Sequence, residues 1–214
     1  MKQYKSSVLL AIAAIGLVVL GACRKEPLNN LSNEESRIYE TNFDSTAQFG
    51  SYKTFSVADS ADVLEDGQYA GKILTDYEAK LIAALKQSMA GRGYSLVART
   101  ANPDLAINIT EVVNTQTAVF SYGDYWGDYG YYYDPYYWGY PGYSYYSPYA
   151  YAVYSVQSAA EIDLLDLKNA ATNGNKIKGL WSGLVQGEDV FNPNNAAPEV
   201  AALFAQSAYL KTNN

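Results

Sequence analysis

The chain of 214 residues contains 22 tyrosines, one cysteine and no histidine, and carries a formal net charge of −7 with a pI near 4.6. The missing imidazole excludes Ser–His–Asp and Cys–His triads and His-ligated zinc or haem, and the lone cysteine excludes an internal disulfide or a cysteine metal cluster. The acidic balance opposes nucleic-acid binding, which depends on Lys and Arg neutralising phosphates; 49% hydrophobic and 17% charged residues describe a folding chain, long enough for one domain.

Lys2 and Lys5 precede an uncharged run from Val8 to Leu20. The run is too short to span a bilayer comfortably and has the form of the apolar part of a secretory signal. It ends in Leu20-Gly21-Ala22-Cys23, which resembles the lipobox of bacterial lipoproteins. That resemblance implies recognition of Leu20, Gly21 and Ala22 by the signal peptidase, cleavage before Cys23, and acylation of Cys23. The expected divisions are a signal peptide over 1–22, a polar lipid-anchored tether over 23–36 and a single domain over 37–212. Arg24, in place of the aspartate that sorting rules associate with inner-membrane retention, points to the outer membrane; which of its faces carries the protein stays open.

In chain order, Arg37 to Phe43 and Tyr52 to Val57 are short, aromatic and alternating, and read as strands. Asp59 to Gly71 is acidic and loop-like. Lys72 to Ala90 reads as a helix, with Leu74, Tyr77, Leu81, Leu85 and Met89 at three- and four-residue steps and Gly91 and Gly93 at its close. Tyr94 to Ala98 and Leu105 to Phe120 read as strands, as does Tyr151 to Leu167, whose alternation slips at Leu164-Leu165 and predicts a bulge there. Asn173-Gly174-Asn175 is a hairpin turn signal, Lys176 to Gln186 the returning strand. A final helix carries Val200, Leu203, Phe204 and Ser207 on one stripe, with Asn195 as N-cap and Pro198 in its first turn. The expected fold is α+β: a mainly antiparallel sheet covered on one face by two helices, with a long Tyr/Gly-rich insertion between two strands.

Three blocks within these elements resemble a known family. They are Asn42-Phe43-Asp44 with Phe49-Gly50-Ser51-Tyr52-Lys53-Thr54-Phe55, Gly91-Arg92-Gly93-Tyr94 with Asn102-Pro103-Asp104-Leu105, and Trp181-Ser182-Gly183. Together they are similar to the domain of unknown function 4136, a family of bacterial envelope lipoproteins. The resemblance implies a fold and a location; the family has no agreed catalytic residues to carry over. Lys211-Thr212-Asn213-Asn214 departs from the family's usual proline-containing end.

Fifteen of the 22 tyrosines fall between Tyr122 and Tyr154, with Trp126, Trp138, five glycines and three prolines. This insertion, bounded at 121–150, offers flat apolar faces with polar tips, which suit protein, glycan or membrane-interface contacts. Trp126, Tyr132, Tyr136, Trp138, Tyr140 and Tyr145 are its candidate interaction residues. No Lys or Arg occurs from Thr100 to Leu167, which opposes a nucleic-acid or anionic-lipid surface. Asp124, Asp128 and Asp134 lack the close alternation of a calcium loop. Glu161 and Asp163 lie two apart on one strand face, a spacing open to acid–base chemistry, but they read as the solvent side of a strand whose other side is Ile162 and Leu164. Asp44-Ser45-Thr46 and Asp59-Ser60-Ala61 match a short O-glycosylation signal. The expectation is a non-enzymatic lipoprotein of the envelope, with no catalytic residue, no metal and no cofactor beyond the covalent lipid on Cys23. Its partners would be the membrane, through the anchor, and an envelope protein or glycan; the alternative is a carbohydrate-binding or carbohydrate-acting lipoprotein.

Overall fold

The structure is a computed structural model that describes residues 32, 36–66, 68–115, 118–121, 135–148, 150–153 and 156–213. The predicted signal peptide 1–22, and the 23–36 tether apart from residues 32 and 36, lie outside them.

The strands are β1 (Ile38–Phe43), β2 (Thr54–Val57), β3 (Ala61–Glu65), β4 (Gln68–Ile73), β5 (Ser95–Leu96), β6 (Leu105–Thr115), β7 (Ala118–Ser121), β8 (Ser144–Tyr146), β9 (Ala150–Val153), β10 (Val156–Asp166) and β11 (Lys176–Gln186). Among the described residues two helices, α1 (Asp76–Gly91) and α2 (Ala196–Gln206), complete the α+β domain. Among the described residues nine strands form one sheet, six along the path β1-β11-β10-β6-β2-β5 with β3, β4 and β8 attached to it, while β7 and β9 pair separately.

The sheet is mixed, not mainly antiparallel as the sequence suggested. β1–β11, β10–β11, β6–β10 and β3–β4 are antiparallel. β8–β11, β2–β5, β2–β6 and β3–β6 are parallel. Successive strands joined by a tight turn must run antiparallel, whereas β2 and β3 reach β6 only through the long connection that holds β4, α1 and β5, and such crossovers permit parallel pairing. Side-chain alternation is the same in both cases.

Two boundaries move for local reasons. The loop expected over Asp59–Gly71 is largely the β3–β4 hairpin. Lys72 and Ile73 belong to β4, and α1 begins only at Asp76, because Thr75 caps it: its hydroxyl accepts from Tyr77 N at 3.2 Å while Glu78 accepts the Thr75 N–H. Leu74, counted into the helical stripe, is left exposed. The strand expected over Tyr94–Ala98 shrinks to Ser95–Leu96, and Leu105–Phe120 and Tyr151–Leu167 each divide in two. The slip predicted at Leu164-Leu165 is a register shift against β11. Gly174 and Asn175 take φ of 71° and 60° in the β10–β11 connection, the left-handed region that Gly and Asn tolerate. Asn195 precedes α2, but its side chain turns back to Asp189 O at 2.7 Å and does not cap the helix.

Both helices cover one face. Leu81, Leu85 and Met89 of α1 and Val200, Leu203 and Phe204 of α2 share a core with Leu105, Ile107, Ile109, Ile162, Leu164 and Trp181 of the long strands. Trp181 lies flat enough beside Gly183 that a Cβ there would stand 2.5 Å from the indole and 2.9 Å from Leu203. Gly183→Ala should therefore destabilise the domain by about 1–3 kcal/mol, as overpacking does; a denaturant midpoint equal to that of the parent chain would contradict this packing.

Candidate functional site

The face opposite the helices is built from the other phase of the same strands. Asn108 and Thr110 of β6, Glu161 and Asp163 of β10, and Ser182 of β11 share it, with Asp163 in register between Asn108 and Ser182 and Glu161 beside Thr110. All five are buried. Glu161 and Asp163 are therefore not the solvent side of their strand, because this face has a second cover of its own.

That cover includes residues 135–148. Tyr140 N donates to Pro135 O at 2.8 Å and Trp138 N to the same carbonyl at 3.1 Å, closing a compact turn in which Gly139 supplies a φ of 87°. The turn drives Trp138 into the sheet, 4% exposed, where its Nε1 donates to Asn108 Oδ1 at 2.9 Å. Ala58, Ala106, Leu165, Leu167, Ala170 and Ile177 complete this smaller core, with Tyr137, Tyr140, Tyr143 and Tyr145 packed against it. As consecutive residues of β10, Leu164 faces the helices and Leu165 the aromatics, while the register shift leaves Leu180 of β11 as the extra residue. Tyr140 OH donates to Leu167 O at 3.0 Å, and β8 zips onto the start of β11.

The structure thus brings Trp138, Tyr140 and Tyr145 together as packing groups, while Tyr136 stands 69% exposed. Trp126, Tyr132 and the Leu20-Gly21-Ala22-Cys23 motif lie outside the described residues, as do Asp124, Asp128 and Asp134. Among the short Asp-Ser matches, Asp44 is buried and accepts from Thr46 N at 2.9 Å and Thr46 Oγ1 at 2.7 Å.

A second cluster went unrecognised in the sequence. Glu78 in the first turn of α1, Glu199 in the first turn of α2, and Glu111 of β6 are all buried on the helix-covered side. Tyr77 OH donates to Glu199 Oε2 at 2.9 Å, and Arg37 Nε lies 4.0 Å from Glu199 Oε1. Burial pushes Glu111 up to about 9, helped by the hydrogen bond and negative charge of Glu78. Burial acts on Glu78 in the same sense, but hydrogen bonds from Glu111 and Thr75 outweigh it and hold Glu78 below its ordinary range. The mutual hydrogen bond and burial favour one proton shared by the pair. Burial also raises Glu199 to about 7, against the pull of Tyr77 and Arg37. Among the described residues, no three His, Cys, Asp or Glu side chains are placed to hold a metal ion. The cluster's signals were legible: Thr75-Asp76-Tyr77-Glu78 is a capping box, Glu111 continues the Leu105–Ile107–Ile109 phase, and Glu199 falls in step with Ala196 and Leu203.

A carboxyl whose folded pKa is raised contributes stability that is complete below its unfolded value near 4.5 and is lost as pH rises through the folded value. Glu111 and Glu199 should make the domain progressively less stable from about pH 5 towards pH 9. Glu111→Gln keeps a donor towards Glu78 and removes the titration, so it should gain about 1–2 kcal/mol at pH 8 and flatten that slope in urea titrations; an unchanged slope would count against the shared proton. Trp138→Ala should cost about 3–5 kcal/mol, or roughly 6–15 °C in Tm; a Tm within a degree or two of the parent would show that the indole is not a core group.

The sequence model of DUF4136, a domain of unknown function, matches residues 39–207. Comparison with curated proteins returns no significant match. Among solved structures, a DUF4136 family protein from Bacteroides thetaiotaomicron superposes with a TM-score of 0.68 at 24% identity, covering 83% of this chain and 99% of that one. A PelC dodecamer from Paraburkholderia phytofirmans gives a TM-score of 0.38 at 11% identity over 83% of this chain and 99% of that chain, below the level of a shared fold.

Proposed function

The chain belongs to the DUF4136 family, and from that premise we propose that it is a non-enzymatic lipoprotein of the bacterial envelope, tethered to the outer membrane through Cys23 and binding another envelope component through its aromatic segment. The observation that carries the anchoring is Leu20-Gly21-Ala22-Cys23 at the end of an uncharged run that follows two lysines, with the chain's one cysteine at the acylation position. Among the described residues no helix is long and apolar enough to cross a membrane. In this reading acyl chains on Cys23 hold the protein at the bilayer, at about 0.8 kcal/mol per buried CH₂, and more than one chain makes the anchor lasting.

The binding role is supported by how the aromatic segment is seated. Trp138 is buried and fixes the segment, leaving Tyr136 and Tyr146 exposed at 69% and 46%. Rigid, exposed tyrosines offer contact area at little entropic cost. The carbohydrate reading gains no such support, since the Trp138 indole is buried and hydrogen-bonded to Asn108.

Expressed in a bacterial host, the parent chain should incorporate labelled palmitate and sediment with membranes, and Cys23→Ser should do neither. A Cys23→Ser protein that still labels and sediments would end the anchoring proposal. Replacing Tyr136 and Tyr146 with serine should leave Tm within about 2 °C, as expected of exposed positions, yet remove proteins that cross-link to the parent chain; an unaltered cross-linking pattern would dismiss the segment as the binding surface.

A further inference from the structure

The β2–β5 ladder ends almost as soon as it begins. Thr54 and Phe55 pair with Ser95 and Leu96, after which the chain leaves β2 for a short 3₁₀ turn at Arg99–Ala101. Beside the end of this ladder lies a cleft of about 420 Å³ lined by Val57, Lys86, Leu96, Val97, Arg99 and Tyr137, among others. That volume is in the range of ligand sites.

Three features describe what fits there. Ser95 N and Val97 N donate inwards to Lys53 O and Phe55 O at 2.8 and 2.9 Å. Strand geometry then turns the N–H and C=O of Leu96 away from β2, towards the open edge of the sheet, where an added strand would find them. The Leu96 side chain is 49% exposed beside that edge. The cleft is also cationic within a chain of net charge −7: Lys86 of α1 and Arg99 border it against the single carboxylate of Asp59. Arg99 is held in place, with its guanidinium 4.3 Å from the Tyr137 ring centre and a hydrogen bond to Tyr137 O. Lys72 approaches the same ring at 5.0 Å but is already paired with Asp62 at 3.2 Å.

We propose that this edge captures an extended acidic polypeptide segment, which adds a strand to β5 through the Leu96 amide and sets its carboxylates against Lys86 and Arg99. Main-chain pairing supplies affinity in this mode and side-chain pockets supply selectivity. Charge selects the occupant. A second copy of this chain would bring its own Lys86 and Arg99 against these, whereas an acidic strand is complementary. A cleft open along a sheet edge also suits an extended chain better than a small anion, which needs enclosure. The assignment does not depend on Cys23 being acylated.

The test uses the full chain in detergent and a fluorescein-labelled octapeptide of valine and glutamate in alternating adjacent pairs, so that an added strand presents carboxylates on both faces. Anisotropy should show saturable binding, at least about tenfold tighter than that of the valine–lysine counterpart. K86E combined with R99E should weaken it by about tenfold or more, and so should L96P, which removes the outward N–H at an edge position where proline is tolerated. Circular dichroism checks that each variant folds, and the charge variant stands alone if L96P does not. A benzophenone at the peptide's end should cross-link within residues 94–101 or to α1. The proposal fails if the acidic peptide does not bind, if both variants bind it as the parent does, if the cross-link maps elsewhere, or if N-acetylglutamate competes equally at the same concentration, which would mark a small-anion site.

Discussion

Three strands of eleven residues, β6, β10 and β11, lie side by side and are buried on both faces. Their hydrogen-bonded ladder satisfies the backbone, but it leaves two faces to be covered, and neither cover resembles the other. Leucine, isoleucine and tryptophan fill the helix side. The opposite side carries Asn108, Thr110, Glu161, Asp163 and Ser182, groups that would be costly to bury beneath aliphatic side chains alone. For Asn108 the answer is aromatic, because tryptophan and tyrosine bring apolar area together with a donor at the tip. Trp138 meets Asn108 in this way, and Tyr140 meets the Leu167 carbonyl.

The tyrosine-rich interval thereby has two natures. Its later part belongs to the core, held by the Pro135–Tyr140 turn and by β8, and it leaves selected tyrosines outward. Tyr137 connects the two: its ring meets Trp138 at 88° with ring centres 4.9 Å apart, while Arg99 and Lys72 lie over the Tyr137 ring. A segment that looks like surface decoration in composition thus sets the geometry of a cleft at the sheet edge.

The helix side has its own polar exception. The first turns of α1 and α2 place Glu78 and Glu199 where helix dipoles favour negative charge, and Glu111 from the sheet adds a third carboxyl. A proton shared between Glu111 and Glu78 and the hydroxyl of Tyr77 reconcile that arrangement with burial. Charge repulsion, not hydrophobic loss, is consequently what alkaline pH would exert on this domain.

Local pattern determined much of this protein. The period of Leu81, Leu85 and Met89, the alternation of β6, β10 and β11, the slip at Leu164-Leu165 and the Asn173-Gly174-Asn175 turn each encode their own geometry within a few residues. The concentration of 15 of the 22 tyrosines in one interval and the Leu20-Gly21-Ala22-Cys23 motif are equally plain in the chain itself. Tertiary structure alone decided the direction of β2, β3, β5 and β8, the hairpin at Ala61–Ile73, and the burial of Glu161 and Asp163. The reason is physical. Alternation reports that a strand has two faces, but not which neighbour pairs with it or what lies across from each face; those depend on contacts between residues far apart in the chain, as when Trp138 lands on Asn108.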